Sequence, residues 1–524
     1  MSAKDAGEAP ARDASPTEPS NSVPQGLTQR AIGGMFWTLS GTGVQGLLQL
    51  LVLMVLGRLL TPAEFGVMGA AMVVVAVSQI VSQVGVGPAI IQRRDLTSTQ
   101  LRVANTLSFS LGLLLGAVVY FNARAIAGFY RIPEVEPVLR SVAFLFPLEG
   151  LNTVGKALLT RELRFRVYAA IELASYVLGY AIVGVVLAWR GYGVWALVIA
   201  TLAQSGVRTL AMFAIVRHPL RPSLDLGASR ELLSFGFGHS LGQVGVVLSQ
   251  QSDNFLVGRW LGPAALGIYG RAYSLMVMPT TMFGRIVMRV LFPLLSQLQE
   301  ERTRLGNAYE RGLAIVALVS LPISLFLWVL APEFIAVVLG PAWHEVVLPF
   351  RLFTISLLFR MSSRMSDECA KAAGKVYQRA VLQWMYTGFV VVGAAIGQQW
   401  GVGGVAVGVS VAMAANWLSM VWLCRSVTGL TWARFGAAHL PAALLAGLIA
   451  VAAAPVAQAM RMAHLGNVAV LIAAGLAAAG MAFAAAHVRP DIWLGPHGTW
   501  AFKRAERLVR RPASLTLAEE ANPK

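Results

Sequence analysis

The chain has 524 residues and a formal net charge of +17, yet only 13% of its residues are charged and 56% are hydrophobic. Soluble domains carry about 25% charged residues, so this composition excludes a water-soluble globular protein of this size. The positive charge also does not predict a nucleic-acid partner, because the Lys and Arg residues gather in alternate loops between apolar stretches, as they do in multi-pass membrane proteins.

The first 33 residues are polar and rich in Pro, Ser and acidic side chains, and we expect a disordered cytoplasmic tail there. Apolar stretches of about 20 residues, the length that crosses a bilayer, then follow one another. We predict an all-α polytopic membrane protein of about 14 transmembrane helices. The predicted spans lie near 34–58, 64–92, 103–122, 138–160, 167–189, 192–216, 233–258, 264–294, 308–330, 346–372, 379–399, 402–424, 437–458 and 466–488.

Loop charges predict the orientation of these spans. One set of alternate loops contains most of the basic residues, among them Arg93, Arg161, Arg217 and Arg302. Basic loops stay in the cytoplasm, so we expect both termini on the cytoplasmic side of a bacterial inner membrane. Two cytoplasmic termini require an even number of spans. The tail over 489–524 is also basic, and its segment 499–511 resembles an amphipathic helix that lies on the anionic inner leaflet.

A motif at the end of the first span recurs at the end of the seventh. The paired positions are Gly57 with Gly258, Arg58 with Arg259, Pro62 with Pro263, and Gly66 with Gly267. Six spans separate the two copies, so both halves face the same way. This predicts two six-helix bundles related by a pseudo-two-fold axis along the membrane normal. The N-lobe covers 34–216, a cytoplasmic linker 217–232 and the C-lobe 233–425, and two further helices lie in 435–488. We expect Arg58 and Arg259 to reach lipid headgroups.

Charged residues within the spans predict a binding cavity, since such residues usually face a partner or water. Helical spacing puts Arg271, Arg285 and Arg289 on one face of span 8, and Arg360 and Arg364 on one face of span 10. Together with Lys156 in span 4, they form a candidate cationic site. Its candidate polar or coupling residues are Asp253 and Gln250 in span 7 and Glu149 in span 4.

Each of these assignments has a structural alternative. Arg289 and Arg364 lie near cytoplasmic helix ends, where a long side chain extends to the headgroups. Glu149 and Lys156 are seven residues apart and could form an ion pair with each other. Asp253 could titrate and couple transport to protons, or it could donate or accept a hydrogen bond in helix packing.

The sequence contains no pattern of an enzyme or of a bound cofactor. Gly41-Thr42-Gly43-Val44-Gln45-Gly46 has the spacing of a dinucleotide-binding loop, but neither a strand nor a ribose-binding acid accompanies it. There is no phosphate-binding lysine loop and no HExxH pair, and the two cysteines have no metal-ligand spacing. We therefore predict a transporter without catalytic residues, metal or cofactor, with a proton or sodium ion as the candidate coupling species.

Five short segments carry a resemblance to a known family. They are Gly57–Leu60 with Phe65-Gly66, Ile90–Arg93, Thr160–Phe165, Asp253–Arg259, and Arg289–Pro293 followed by Gln297–Gln299. Together they resemble the polysaccharide-exporter branch of the multidrug/oligosaccharidyl-lipid/polysaccharide flippase superfamily, in particular Wzx-type lipopolysaccharide biosynthesis proteins of the colanic-acid-exporter kind. The resemblance covers roughly residues 34–430.

The resemblance implies a two-lobed transporter that works by alternating access. Its cargo would be an undecaprenyl-diphosphate-linked oligosaccharide for exopolysaccharide or O-antigen assembly, with a polymerase and a chain-length regulator as partners in the pathway. A drug antiporter of the same superfamily is one alternative, and the arginine-rich interior weighs against it. A membrane-embedded polymerase or ligase is another, and the internal repeat and short loops weigh against it.

Overall fold

The computed structural model describes residues 43–82, 86–92, 96–216, 221–223, 225–298, 301–500 and 503. Within these ranges, the side chains at 80–82, 226, 228–244, 282–294 and 296 lie outside the description. The described ranges are helical and contain no strand, as the apolar periodicity of the sequence predicts. The all-α fold class is therefore confirmed.

The first half of the chain forms nine helices. They are α1 (Gly43–Leu59), α2 (Pro62–Ser82), α3 (Val86–Gln92), α4 (Ser98–Tyr130), α5 (Val135–Val142), α6 (Leu145–Arg161), α7 (Phe165–Tyr176), α8 (Val185–Trp189) and α9 (Val194–Ile215). A π-helical segment, Val177–Gly184, joins α7 to α8. The predicted fourth span is thus two helices, α5 and α6, which meet at residues 143–144.

The second half begins with α10 (Leu226–Gln297), which is broken at Gly262, where φ is 84° and ψ is −177°. Only glycine adopts this conformation readily, and the break separates predicted spans 7 and 8. The remaining helices are α11 (Arg302–Val329), α12 (Ala331–Val338), α13 (Val347–Ile355), α14 (Leu357–Ala372), α15 (Val376–Gly397), α16 (Gly401–Thr428), α17 (Trp432–Met462), α18 (Asn467–Val488) and α19 (Pro490–Trp493). A 3-10 turn, Pro341–Val346, precedes α13.

Helices lie over all 14 predicted spans, although residues 34–42 of the first span are outside the described ranges. Within those ranges, nine helices are long and apolar enough to cross a membrane, or ten if the pair Pro341–Ile355 and Leu357–Ala372, bent by 41°, is one span. The chain is therefore a multi-pass membrane protein. The exact number of crossings and the domain boundaries remain predictions.

The repeated motif lies where α2 packs along α10, the most extensive helix pairing in the described chain. A Cβ atom built on Gly66 would lie 1.7 Å from the Pro263 carbonyl oxygen, and one built on Gly267 would lie 1.9 Å from the Pro62 carbonyl oxygen. Each copy of the motif thus contacts the other copy through the equivalent residue. Reciprocal contacts of this kind arise from a two-fold arrangement, and they need glycine at both positions.

The two C-terminal helices pack on the second half of the chain. Helix α17 lies along α11, and α18 lies along α17 and α12. Arg461 of α17 fixes this position with hydrogen bonds to both Glu333 carboxylate oxygens, at 2.7 and 2.9 Å, and to the Val329 carbonyl oxygen at 3.2 Å. Glu333 is buried, so the ion pair anchors α17 to the segment between α11 and α13.

Candidate functional site

The two halves of the chain meet tightly at the ends of α1 and α2. The Trp343 indole is fully buried there and donates a hydrogen bond from Nε1 to the Gly57 carbonyl oxygen at 2.7 Å. Its ring packs edge-to-face on Phe65, with ring centroids 5.3 Å apart. Arg58 donates from Nη2 to the Val337 carbonyl oxygen at 2.6 Å, which adds a charged contact between the halves.

The second copy of the motif makes the corresponding contacts with the first half. The Arg259 guanidinium lies 5.1 Å from the centre of the Phe129 ring, which in turn stacks on Phe255 at 5.1 Å. A Cβ atom on Gly258 would lie 2.9 Å from the Tyr130 ring. Both motif arginines therefore contact the opposite half, and that they also reach lipid headgroups stays a prediction. We call this region, formed by both motif copies and Trp343, the closed end.

A cavity of about 650 Å³ lies beside the closed end, between the two halves. Residues of α1, α2, α7, the π-helical segment and α9 line one wall, and residues of α10 line the other. Much of the surface is apolar. Its polar residues are Gln49, Tyr176, Tyr180, Gln204, Arg271, Tyr273, Ser274 and Thr281.

Arg271 is the charged residue of this cavity. Its guanidinium lies 4.8 Å from the centre of the Phe65 ring. Within the described chain its Nε atom is buried and has no hydrogen-bond partner, and no carboxylate forms an ion pair with the side chain. A partly buried cation whose Nε atom lacks a hydrogen-bond partner is costly, so this arrangement suits an anion that enters the cavity.

A neighbouring space of about 300 Å³ connects Arg271 with Arg360. It shares Phe65, Arg271 and Tyr273 with the larger cavity and extends to Gln250. Arg360 donates from Nη1 to the Tyr273 hydroxyl at 2.6 Å. Of the predicted cationic residues, the structure thus brings Arg271 and Arg360 to the walls of the same 300 Å³ space.

Asp253 lies behind this wall and does not line any of the cavities described here. Its carboxylate accepts hydrogen bonds from the Tyr269 hydroxyl at 2.7 Å and from the Asn254 backbone N–H at 2.8 Å. The Tyr269 ring stacks on Tyr273 at 6.3 Å, and Tyr273 contacts Arg360. Asp253 therefore connects to the cavity wall through Tyr269 and Tyr273, and also through Asn254, which lines the 300 Å³ space.

Arg364 and Gln250 line a further space of about 180 Å³ inside the second half, together with Arg360. Asp367 and Arg379 lie in the same wall and are bonded to each other, and Asp367 also pairs with Lys371 at 2.8 Å. The charge of this face of α14 is thus partly neutralised around Asp367 and Lys371, while Arg360 also lines the 300 Å³ space that it shares with Arg271.

Glu149 and Lys156 line a separate space of about 200 Å³ inside the first half, and neither lines the cavity around Arg271. Glu149 pairs with Arg208 at 3.0 Å, and Arg208 also pairs with Glu172 at 3.3 Å. The alternative ion pair between Glu149 and Lys156 is therefore not the one observed. Arg208 was missed in the sequence, although a lone arginine within a predicted span is a signal that could have found it.

Two predicted cationic residues, Arg285 and Arg289, fall where the backbone of α10 is described but the side chains are not. Charge is the chief signal of a site within apolar spans, so Tyr176, Tyr180, Gln49 and Gln204 were not predicted. These four side chains all belong to the first half and line the cavity that contains Arg271.

Comparisons with known proteins agree with this architecture. The sequence profile of a family described as polysaccharide biosynthesis protein matches residues 55–348, more than half of the chain. The chain is 26% identical over 351 residues to the teichuronic acid biosynthesis protein TuaB of Bacillus subtilis, a match covering 67% of this chain and 72% of TuaB. It is 29% identical over 307 residues to the succinoglycan biosynthesis transport protein ExoT of Rhizobium meliloti, covering 58% of this chain and 61% of ExoT.

Among solved structures, the lipid II flippase MurJ in an inward closed conformation superposes with a TM-score of 0.64 at 12% sequence identity. The superposition covers 88% of this chain and 99% of MurJ. At this identity the likeness establishes the fold only, and it matches the architecture that the repeated motif predicts. The resemblance first found in five short segments is confirmed, and the chain belongs to the polysaccharide biosynthesis protein family.

Proposed function

We propose that the protein is a flippase that moves an undecaprenyl-diphosphate-linked oligosaccharide repeat unit from the cytoplasmic to the periplasmic leaflet of the inner membrane. The observation that carries this proposal is Arg271, a partly buried cation without a carboxylate partner in the described chain, inside a cavity between two halves. The names of TuaB and ExoT, which refer to polysaccharide biosynthesis and transport, support it. So does the fold shared with a lipid II flippase.

The cargo has a diphosphate, a hydroxyl-rich headgroup and a long apolar tail, and each part needs a different environment. The diphosphate would bind Arg271 and Arg360 through charge-assisted hydrogen bonds, for which the planar guanidinium is well suited. Arg285, Arg289 and Arg364 remain proposed contributors to the same positive field, whereas Lys156 lines a separate space inside the first half. The polyprenyl tail would stay in the bilayer, because transfer of its apolar surface from lipid into a polar cavity costs free energy that no contact there offsets.

Transport would follow from rocking of one half against the other. We place the closed end on the periplasmic side, so that the cavity would face the cytoplasm, and opening of that end would release the headgroup outside. A membrane potential that is negative inside favours outward movement of an anion by ~2.3 kcal/mol per charge per 100 mV. Both termini would then lie in the cytoplasm, and a polymerase with its chain-length regulator would take up the product.

A proton or sodium ion is proposed as the coupling species. Asp253 is the proposed coupling residue, because it is the buried carboxylate that connects through Tyr269 and Tyr273 to Arg360. A change in its charge would alter the field at Arg360 across this short chain of side chains. No carboxylate lines the cavity that holds Arg271 in the described chain, so the site has no obvious partner for a cationic drug.

Deletion of the gene, followed by lipid analysis and complementation, tests the proposal. Undecaprenyl-linked repeat units should accumulate on the cytoplasmic side of the deletion strain, and the exported polymer should disappear. Arg271→Ala should fail to restore the polymer, whereas Arg190→Ala, which changes an exposed arginine away from the cavity, should restore it fully. Unchanged polymer in the deletion strain together with increased drug sensitivity would refute the flippase assignment.

A further inference from the structure

Two tyrosine rings form an aromatic patch in the wall of the 650 Å³ cavity between the two halves. Tyr176 ends α7, and Tyr180 lies one turn later in the π-helical segment. Their rings stack with centroids 5.3 Å apart and an interplanar angle of 12°. Both line the 650 Å³ cavity that contains Arg271.

The Tyr180 hydroxyl is held in place by helix α9. It lies 2.7 Å from Thr201 Oγ1, which itself donates to the Leu197 carbonyl oxygen at 2.8 Å. Since the Thr201 proton is used in that bond, Tyr180 donates and Thr201 accepts. The ring is therefore fixed by its own hydroxyl, and its carbon surface is what remains for a ligand.

Two carboxamides accompany the rings. Gln49 of α1 and Gln204 of α9 line the same cavity, and neither makes a side-chain hydrogen bond to another described residue. Gln204 is positioned by Gly179: a Cβ atom on that glycine would lie 2.6 Å from the Gln204 Cβ and 2.7 Å from its Cα. A glycine at 179 thus allows α9 to approach the π-helical segment and bring Gln204 to the cavity.

The chemistry of this wall differs from that of the wall opposite. A carboxamide donates and accepts hydrogen bonds, as a sugar hydroxyl does, while aromatic rings offer apolar surface beside a polar edge. The first half therefore presents uncharged groups that suit a saccharide. The second half presents Arg271 in this cavity and Arg360 in the adjoining 300 Å³ space, and both guanidinium groups suit the diphosphate.

We propose that Tyr176, Tyr180, Gln49 and Gln204 form a saccharide-binding subsite that recognises the sugar attached to the diphosphate. The proposal rests on the proposed flippase function and assigns each half a part of the cargo. The second half binds the diphosphate, and the first half recognises the sugar. The volume of about 650 Å³ lies within the ~300–1,000 Å³ of small-molecule sites. The subsite therefore holds the diphosphate-proximal part of a repeat unit rather than the whole oligosaccharide.

Binding of short-chain probes to the purified full-length protein tests this subsite. The probes are farnesyl diphosphate and four farnesyl diphosphate glycosides that carry glucose, galactose, N-acetylglucosamine or fucose, and the measurement is the Kd by microscale thermophoresis in detergent. At least one glycoside should bind more tightly than farnesyl diphosphate. Tyr180→Ala and Gln204→Leu should each weaken that glycoside about tenfold, which corresponds to about 1.4 kcal/mol, and leave farnesyl diphosphate unchanged.

Matched variants separate the two proposals. Tyr180→Phe keeps the ring and should retain most of the glycoside affinity, whereas Tyr377→Ala removes an exposed tyrosine outside the cavity and should change nothing. Arg271→Ala should weaken all five probes. Thermal unfolding of each variant shows whether it is folded. If Tyr180→Ala does not fold, Gln204→Leu, which nearly preserves side-chain volume, still tests the subsite.

Three results would overturn the subsite. In the first, no glycoside binds more tightly than farnesyl diphosphate. In the second, Tyr180→Ala and Gln204→Leu weaken the glycoside and farnesyl diphosphate equally. In the third, both variants leave every Kd unchanged. Failure of the wild-type protein to bind any diphosphate probe would overturn the proposed function as well, so the two failures are distinguishable.

Discussion

Substitution of Gly66 by alanine should open the closed end. The added Cβ would lie 1.7 Å from the Pro263 carbonyl oxygen, whereas non-bonded heavy atoms need about 3.5 Å. Helices α2 and α10 must therefore separate by well over 1 Å at this point, and overpacking of this kind costs about 1–3 kcal/mol. If the open state does not carry this penalty, its population relative to the closed state rises about 5- to 150-fold.

Distances across the closed end measure this shift. Tyr192 and Trp400 are exposed residues of the two halves, in the turns before α9 and α16, and each can be replaced by a spin-labelled cysteine. The native Cys369 and Cys424 are buried and are poor targets for the label. Double electron–electron resonance should show a longer distance component in Gly66→Ala than in the parent protein.

A matched glycine provides the control. Gly206 lies within α9, and a Cβ there would meet nothing within 4 Å. Gly206→Ala should therefore leave the distance distribution unchanged, and it should slightly stabilise the helix because alanine is the better helix former. If Gly66→Ala and Gly206→Ala gave the same distribution as the parent, the reasoning from the reciprocal glycine contact would be wrong.

Three other predictions concern the contacts between and within the halves. Trp343→Phe removes the bond to the Gly57 carbonyl oxygen and should destabilise the protein by about 1–3 kcal/mol; thermal unfolding measures this, with the exposed Trp400→Phe as the control, and an unchanged Tm would contradict it. Arg461→Ala leaves the buried Glu333 carboxylate without its partner and should release α17. The expected loss in free energy of unfolding is near the lower end of about 1–3 kcal/mol, because about a third of the Arg461 side chain is exposed. Limited proteolysis in the exposed turn 463–466, which follows Arg461 at the end of α17, measures this release, and the paired exchange Glu333→Arg with Arg461→Glu should restore protection. Asp253→Asn should abolish the stimulation of transport by a pH gradient in proteoliposomes while it preserves binding of the diphosphate probes; stimulation that persists would assign Asp253 to helix packing alone.

Much of the architecture could be predicted because it depends on local patterns. Apolar stretches gave helices at all 14 positions, and the break in α10 falls at Gly262, between the two spans predicted there. The repeated Gly-Arg and Pro-Gly positions predicted two related halves, and the reciprocal contacts of Gly66 and Gly267 agree with that arrangement. These features follow from the chain's own periodicity and from glycine's conformational freedom.

The site was less predictable, because helical spacing tells which residues share a face but not which helix covers that face. The position of Arg58 at a helix end predicts that it reaches headgroups, but it does not predict the bond to a carbonyl oxygen 279 positions away. Lys156 was grouped with Arg271, and the fold places them in different cavities. Tyr180 carries no charge, so it did not stand out among many aromatic residues of the spans. Long-range packing decides all three cases.

The buried contacts around Trp343 also bear on how well the membrane holds its gradients. A cavity of 650 Å³ lined by glutamine and arginine is wide enough to admit water. If that water were continuous from one face of the membrane to the other, ions would leak and the potential that favours outward transport would be lost. Phe65, Trp343 and Leu56 close off one end with apolar surface. A variant with weakened apolar contacts at this end would therefore let ions leak and would lower the membrane potential that favours its own transport. It could do so while it still binds the cargo.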